Sequence, residues 1–154
     1  MRLSAFVTVR ELLRSDTARR LAIPNRPPVQ ALRNLLHLAR GLDRVRRLLG
    51  RPLAISSGYR SPALNREVGG SPRSRHVTGL AADFACPAYG TPYRIARALV
   101  RARVPFDQLI YEYGDHADGG WIHVSFARRP RRQALTIRAR GGGYRPGIRP
   151  CLRR

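Results

Sequence analysis

The sequence predicts an α+β domain that combines a small, mostly antiparallel sheet with flanking helices. Residues 29–49 repeat their apolar side chains in steps of three and four, which is the period of an amphipathic helix. Four short apolar runs, separated by Gly, Pro, Ser and Asp, have the length of strands. At 154 residues and 43% hydrophobic, the chain suits one domain with one core.

The predicted elements follow one another as helix, strand, loop, strand, helix, strand, strand. The long helix ends at Gly50, a residue type that favours helix termination. Its predicted core stripe consists of Leu32, Leu35, Leu36, Ala39, Leu42, Val45, Leu48 and Leu49. Strands are predicted at residues 52–56, 80–85, 106–113 and 121–126, and further helices at residues 18–21, 62–68 and 92–103.

The charge of the chain is strongly positive. Its 30 basic residues are all arginine and face nine acidic ones, which gives a net charge of +21. Such a charge attracts polyanions, among them nucleic acids, anionic cell-wall polymers and the interior of a virion; a merely solubilising surface is the alternative. Because no DNA- or RNA-reading motif and no aromatic stacking platform accompanies the charge, nucleic-acid binding is not predicted as the main function.

The last part of the chain differs in composition from the rest. Residues 128–154 are rich in Arg, Gly and Pro, so we expect a partly disordered basic tail after a domain of residues 1–127. Two cysteines, Cys86 and Cys151, are too few for a disulfide framework, and their pairing stays open. No apolar run approaches the roughly 20 residues of a membrane span, and the N-terminus lacks the apolar stretch of a signal peptide.

Two histidines and one aspartate stand in positions that suit a metal site. Side chains alternate along a strand, so Asp83 projects away from the core-facing Leu80 and Phe84. By the same alternation His123 lies opposite the core face of its strand, and both side chains face one cleft if the two strands share a sheet. With His76, they make the donor set of a catalytic zinc ion; ordinary hydrogen bonding is the alternative from spacing alone.

Glu112 is a candidate general base. It shares a strand face with Gln108 and Ile110 and ends the strand that we expect to pair with the strand of His123. Its carboxylate would then lie within reach of a water molecule at the metal site.

The motifs around these residues resemble the M15 family of zinc peptidases. They occupy residues 57–65, 68–71, 74–84 and 121–126, and include Ser-x-His-x-x-Gly-x-Ala-x-Asp and a downstream Trp-x-His. The similarity covers roughly residues 4–127. It is to the branch that contains D-Ala-D-Ala carboxypeptidase domains and phage L-alanyl-D-glutamate endolysins, which implies a fold of the Hedgehog/D-Ala-D-Ala peptidase type.

The resemblance implies roles for individual residues. The zinc ligands, for one ion per chain, would be His76, Asp83 and His123. Arg60 would lie in the substrate cleft, where a guanidinium can hold a carboxylate or a developing oxyanion. Ser74 would line the substrate site, together with Ser57 and Tyr59 of the Gly-Tyr-Arg motif.

The sequence departs from the family pattern at one catalytic position. Several branches place the catalytic carboxylate three residues before the last zinc ligand, where this chain has Gly120. The base must come from elsewhere, and Glu112 is the preferred candidate. Asp115 and Asp118 on the following loop are alternatives, and His116 on that loop is a possible substrate contact.

The resemblance implies hydrolysis of peptide bonds in peptidoglycan stem peptides, by a D-Ala-D-Ala carboxypeptidase or an endolysin-type endopeptidase. The alternative is a catalytically weak or inactive module that binds the cell wall or builds a phage particle. Without a signal peptide, we expect a phage or prophage product that is released to the wall or carried in the virion, and otherwise a cytoplasmic protein. The expected partners are wall peptides and, through the basic tail, anionic polymers.

Overall fold

The computed structural model describes residues 1–114, 119–139 and 141–151. Its helices are α1 (Val9–Leu13), α2 (Asp16–Arg20), α3 (Val29–Leu49), α4 (Pro62–Glu67) and α5 (Pro92–Arg101). Its strands are β1 (Ala54–Ser57), β2 (Ala81–Ala85), β3 (Gln108–Glu112), β4 (Trp121–Ser125), β5 (Gln133–Ile137) and β6 (Arg145–Pro146). The strands form one sheet in the order β1-β2-β4-β3-β5-β6. Only the β3–β5 pair is parallel among the described strands, so the predicted α+β class with a mostly antiparallel sheet is confirmed.

Helix α3 occupies the residues predicted for it. Gly50 ends it in the left-handed conformation, with φ +64°, and donates its N–H to the carbonyl of Arg46 at 2.9 Å. The buried side of the helix consists of Leu35, Leu38, Ala39, Leu42, Val45 and Leu49. The core prediction is wrong for Leu36 and Leu48, which are 42% and 41% exposed. Both lie about 120° around the helix axis from Leu42, beyond the edge of the buried stripe.

The core lies between one face of the sheet and the long helices. Helices α3 and α5 cover this face, onto which Phe84, Leu109, Ile122 and Val124 project with no exposed surface. Burial of a side chain of this size stabilises a fold by about 1.5–3 kcal/mol. Because neighbouring residues on a strand point to opposite faces, this packing leaves Asp83 and His123 on the other face.

A buried carboxylate fixes the first residues of the chain to α3. Asp43 is 4% exposed and accepts hydrogen bonds from the Ser4 hydroxyl at 2.8 Å and from the backbone N–H groups of Ala5 and Phe6 at 3.0 and 3.2 Å. Three donors satisfy the oxygen atoms of this carboxylate, which burial would otherwise penalise.

Helix α1 then positions the loop that follows β1. Thr8 and Glu11 form a capping box that starts the helix. At its other end, the carbonyl of Leu12 accepts a 2.7 Å hydrogen bond from the N–H of Tyr59. A side chain at Gly58 would overlap this same carbonyl, so the close approach of the two segments requires glycine.

The C-terminal segment belongs to the sheet, which corrects the boundary that composition predicts. Within residues 128–154, β5 pairs in parallel with β3, and β6 pairs with β5. Thr136 and Ile137 are buried at 1% and 5% exposure. The prediction of a tail outside the domain is therefore wrong for these strands. The five residues of β5 extend the sheet beyond β3, and the surrounding arginines and glycines obscure them in the composition.

An ion pair holds this segment in place. Arg131 donates three hydrogen bonds to the carboxylate of Asp107, from its backbone N–H at 3.1 Å and from its guanidinium at 2.8 and 2.7 Å. Asp107 is 1% exposed, and Arg75 lies 3.7 Å from it. The hydrogen bonds from Arg131, more than any other cause, hold the pKa of Asp107 below its usual range.

The two cysteines are separate free thiols. Cys86 is buried and its thiol donates to the Pro52 carbonyl oxygen at 3.3 Å, whereas Cys151 is partly buried near Gly114. In the described ranges no helix has the length and apolar character needed to cross a bilayer.

Candidate metal centre and active site

Strands β2 and β4 bring two of the predicted ligands together. In their antiparallel register Asp83 lies directly opposite His123, so both side chains project from the same face of the sheet. His123 Nδ1 is 2.9 Å from Asp83 Oδ1. The expectation that these residues share a face, derived from strand alternation, agrees with the structure.

The third predicted ligand comes from the loop before β2. His76 Nε2 lies 3.1 Å from Asp83 Oδ1 and 3.2 Å from His123 Nδ1. All three residues are buried, at 2%, 7% and 8% exposure for His76, Asp83 and His123. Among the described residues, these three form a group whose donor atoms lie close enough to share one metal ion.

Hydrogen bonds hold the His76 ring in a metal-binding orientation. Its Nδ1 is 2.6 Å from the Gly58 carbonyl oxygen, which can only accept. We therefore assign the ring proton to Nδ1, and Nε2 then turns its lone pair toward Asp83 and His123. A lone pair that faces a carboxylate is repelled unless a cation lies between them, so this arrangement suits a metal ion.

Turn geometry fixes the His76 backbone as well. The Ser74 hydroxyl accepts the His76 N–H at 3.3 Å, and the His76 carbonyl accepts the N–H of Gly79 at 3.1 Å. Gly79 has φ +74°, and a Cβ there would lie 2.8 Å from the Ala31 carbonyl oxygen of α3. The glycine of the His-x-x-Gly motif thus lets the ligand loop pack closely on the long helix.

The donor separations fit a tetrahedral ion. With metal–ligand bonds of about 2.0–2.1 Å, two donors of a tetrahedral zinc site stand about 3.3 Å apart. The three separations here, 2.9, 3.1 and 3.2 Å, are close to that value. Two imidazole nitrogens and one carboxylate oxygen are a common catalytic zinc donor set, which leaves a fourth position for water or substrate.

The protonation behaviour of the three residues reflects their mutual contact. Burial lowers the pKa of His76, and the Asp83 carboxylate only partly opposes this. Burial alone would raise the pKa of Asp83, but the two histidines hold it well below its usual range. The pKa of His123 is raised because hydrogen bonding and charge attraction from Asp83 outweigh burial. Asp83 is thus ionised at any pH of interest, as a metal ligand would need to be.

Arg60 contacts the metal-site carboxylate. Its Nη2 donates to Asp83 Oδ2 at 2.6 Å, and its Nε donates to the Ser57 hydroxyl at 2.9 Å. The two oxygen atoms of Asp83 therefore have different partners: Oδ1 faces the two histidines and Oδ2 faces the guanidinium. The structure places Arg60 beside the candidate metal site and adds a contact that the sequence did not indicate: Arg60 orients Asp83, a candidate metal ligand.

The three predicted substrate-binding residues have different positions. Ser57 orients Arg60, and Ser74 supports the backbone of His76, so both lie beside the metal site. Tyr59 is 2% exposed and belongs to the hydrophobic core. Its predicted contact with substrate does not agree with this placement: Tyr59 precedes Arg60 by one residue, and the two side chains point in different directions.

Glu112 lies on the site face of β3. Strand β3 pairs with β4 so that Ile110 is opposite His123 and Glu112 is opposite Trp121. Glu112 is therefore a diagonal neighbour of His123, at about 7–8 Å between backbones, a gap that long side chains can bridge. A water molecule at such a metal site would lie on the face of the sheet to which Glu112 projects.

The environment of Glu112 suits a general base. Burial, followed by the negative charge of Asp83, raises its pKa to about 7. The charges of His123 and Arg60 oppose the rise, as does the Trp121 indole N–H, which faces the carboxylate without forming a regular hydrogen bond. A carboxylate with a pKa near neutrality can accept a proton and release it again at physiological pH.

The glycine at residue 120, where several branches of the similar family have a carboxylate, has a steric reason. Gly120 has φ +73°, and a Cβ at this position would overlap the carbonyl oxygen of Glu112 and contact the backbone of Tyr113. Any side chain at residue 120 is excluded as long as the loop packs this way. The alternative candidates Asp115, His116 and Asp118 lie outside the described residues.

Comparison with known protein families gives a match over most of the chain. A family model described as Peptidase M15 matches residues 5–125, which include His76, Asp83, His123 and Glu112. No curated protein matches the chain.

Proposed function

The chain belongs to the peptidase M15 family, and we propose that it is a zinc-dependent peptidase that hydrolyses peptide bonds in the stem peptides of bacterial peptidoglycan. The observation that carries the proposal is the buried group of His76, Asp83 and His123 with Glu112 beside it. We further propose that the fold is of the Hedgehog/D-Ala-D-Ala peptidase type, given the small sheet with its site on one face.

The donor set supports zinc as the bound metal. Two imidazoles and a carboxylate at near-tetrahedral spacing favour zinc over calcium or magnesium, which prefer six or more oxygen ligands. When bound, a zinc ion supplies Lewis acidity that polarises a carbonyl group and makes water more acidic.

The residues of the chain handle the protons and the charge. Glu112 would take a proton from the attacking water and return it to the nitrogen of the leaving amine. Arg60 fixes the orientation of Asp83 through the 2.6 Å contact and places a positive charge beside the reacting carbonyl. Because the site is buried, these charges act more strongly than they would in water.

The choice between carboxypeptidase and endopeptidase needs a direct measurement. Purified protein loaded with zinc should release fragments from peptidoglycan, and mass spectrometry of these fragments identifies the bond that is cut. Release of single terminal D-alanine residues indicates the carboxypeptidase; loss of the bond between L-alanine and D-glutamate indicates the endolysin type. Bound zinc with no fragments would contradict the proposal and favour a wall-binding or structural module.

We also propose that the basic surface binds anionic cell-wall polymers and so keeps the enzyme at its substrate. Arg33, Arg40 and Arg44 are exposed and follow one side of α3, where their spacing of seven and four residues aligns them. Replacing all three with Gln should weaken sedimentation with purified cell walls and leave hydrolysis of a small soluble peptide unchanged. Equal sedimentation of the variant and the wild type would contradict this.

A further inference from the structure

Tyr144 lies beyond the segment that the family model matches, yet the sheet carries it to the active site. Strand β6 runs antiparallel to β5 with Arg145 opposite Thr136, which brings Tyr144 level with Ile137. Ile137 in turn lies opposite Glu112. Residues that stand opposite one another across strands project from the same face, so Tyr144 and Glu112 share the face that holds the metal site.

The strand spacing gives the distance of Tyr144 from the reacting groups. His123 lies on β4, three strands from β6, which corresponds to about 14 Å across the sheet at about 4.8 Å per strand. A peptide that runs across the strands from the metal site advances by about 3.3 Å per residue, so this distance corresponds to about four residues of substrate. Tyr144 therefore stands about where the fourth residue from the cut bond would lie.

Other aromatic residues line the same part of the face. The rings of Tyr113 and Trp121 meet edge to face, with centroids 4.9 Å apart, and Trp121 is the direct cross-strand partner of Glu112. The Tyr144 side chain is 60% exposed and thus accessible to a ligand. Partial burial, followed by the nearby charges of Glu112 and Tyr113, raises the pKa of Tyr144, which agrees with its position beside them.

We propose that Tyr144 is a substrate-binding residue that packs against an extended peptide about four residues from the bond that is cut. This inference rests on the proposed peptidase function and adds to it a requirement on the substrate. The enzyme acts on peptides long enough to reach across β5 to β6, and the C-terminal segment supplies the contact. A ring of this size, half exposed beside the cleft, offers an apolar surface for an alkyl side chain and backbone.

Intrinsic fluorescence provides a direct binding test, since Trp121 is the single tryptophan of the chain. The zinc-loaded protein is titrated with a synthetic stem pentapeptide and, separately, with its terminal dipeptide. In a Glu112→Gln background, which blocks turnover, Tyr144→Ala should weaken binding of the pentapeptide about fivefold and leave dipeptide binding unchanged. Tyr144→Phe keeps the ring, so its affinity for the pentapeptide should stay within about twofold of that of the parent.

Several results would overturn the inference. The inference is wrong if Tyr144→Ala binds the pentapeptide as tightly as the parent does. It is also wrong if Tyr144→Ala loses the same factor of affinity for the dipeptide, since that would indicate a general disturbance of the site. Absence of any fluorescence change in the parent at millimolar pentapeptide would also contradict it. Because Tyr144 is largely exposed, Tyr144→Ala should keep the melting temperature and zinc content of the parent, which separates binding from folding.

The proposed function can fail separately. The wild-type chain could bind the pentapeptide with the predicted dependence on Tyr144 and yet cleave no bond. In that case the proposed role of Tyr144 in peptide binding is confirmed and the proposed hydrolytic function is wrong. If the wild type cleaves the pentapeptide and Tyr144→Ala has the same KM, the function stands and the role of Tyr144 is wrong.

Discussion

Gly120 lies directly against the backbone carbonyl of Glu112, so that no side chain fits at residue 120. Residue 120 is the position at which several branches of the family carry a catalytic carboxylate, and we propose that Glu112 supplies that function in this chain. The tight approach of the loop excludes a side chain at residue 120 and borders the end of the strand that carries Glu112.

Restoring a side chain at residue 120 should therefore damage the protein. In Gly120→Ala the alanine must adopt a positive φ, and its Cβ overlaps the carbonyl oxygen of Glu112. In Gly119→Ala the alanine must adopt a similar φ of +72°, but its Cβ has open space around it. We expect Gly119→Ala to lose about 1–2 kcal/mol of unfolding free energy and Gly120→Ala clearly more. Urea denaturation of both variants measures this difference; equal losses would contradict the steric account.

Glu112→Gln should separate proton transfer from metal binding. Removal of a general base lowers kcat by about 10²- to 10⁴-fold, while the three metal ligands remain. Zinc content, measured by atomic absorption, should stay at one ion per chain. The matched control is Glu67→Gln, since Glu67 is exposed at the end of α4 and the substitution makes the same change of charge. A kcat within threefold of the wild type would assign the base to another residue.

The raised pKa of Glu112 also predicts a pH dependence of stability in the metal-free protein. The folded state holds the proton up to about pH 7, whereas the unfolded state releases it near 4.5. The stabilisation is therefore complete below pH 4.5 and is lost as the pH rises through 7. Glu112→Gln removes this loss and should be more stable than the wild type at pH 8, by about 3 kcal/mol. Thermal denaturation at pH 5 and pH 8 tests the sign.

The ion pair between Asp107 and Arg131 should anchor the C-terminal strands. Arg131→Ala removes the two hydrogen bonds that the guanidinium donates to the buried Asp107 carboxylate. The third hydrogen bond comes from the backbone N–H, which the substitution leaves in place. We expect a loss of about 1.5–3 kcal/mol in unfolding free energy. Arg129→Ala, at an exposed position two residues earlier, is the control and should change little. Protection of the β5 amides from hydrogen exchange should fall in the Arg131 variant alone.

The sequence predicts the elements whose signal is periodic or carried by a motif. Helix α3 has the predicted bounds because six buried residues repeat at helical spacing and Gly50 ends it. The metal ligands are predictable because strand alternation puts Asp83 and His123 on one face, and the flanking motif adds His76.

Features that depend on contacts between distant parts of the chain could not be predicted from the sequence. Strand β5 is only five residues long and is stabilised by its pairing with β3, not by a strong local pattern. Tyr59 is buried because its backbone is bound to Leu12, a contact between distant parts of the chain. The contact between Arg60 and Asp83 likewise spans 23 residues and could not be read from the motif.

The central claim is that His76, Asp83 and His123 hold one zinc ion on which hydrolysis of wall peptides depends. The most direct measurement compares wild type and His123→Ala for zinc content and for release of fragments from purified peptidoglycan. We predict one zinc ion per wild-type chain, and in the variant the loss of both zinc and hydrolysis with the fold retained by circular dichroism. Undiminished hydrolysis by the zinc-free variant would contradict the claim.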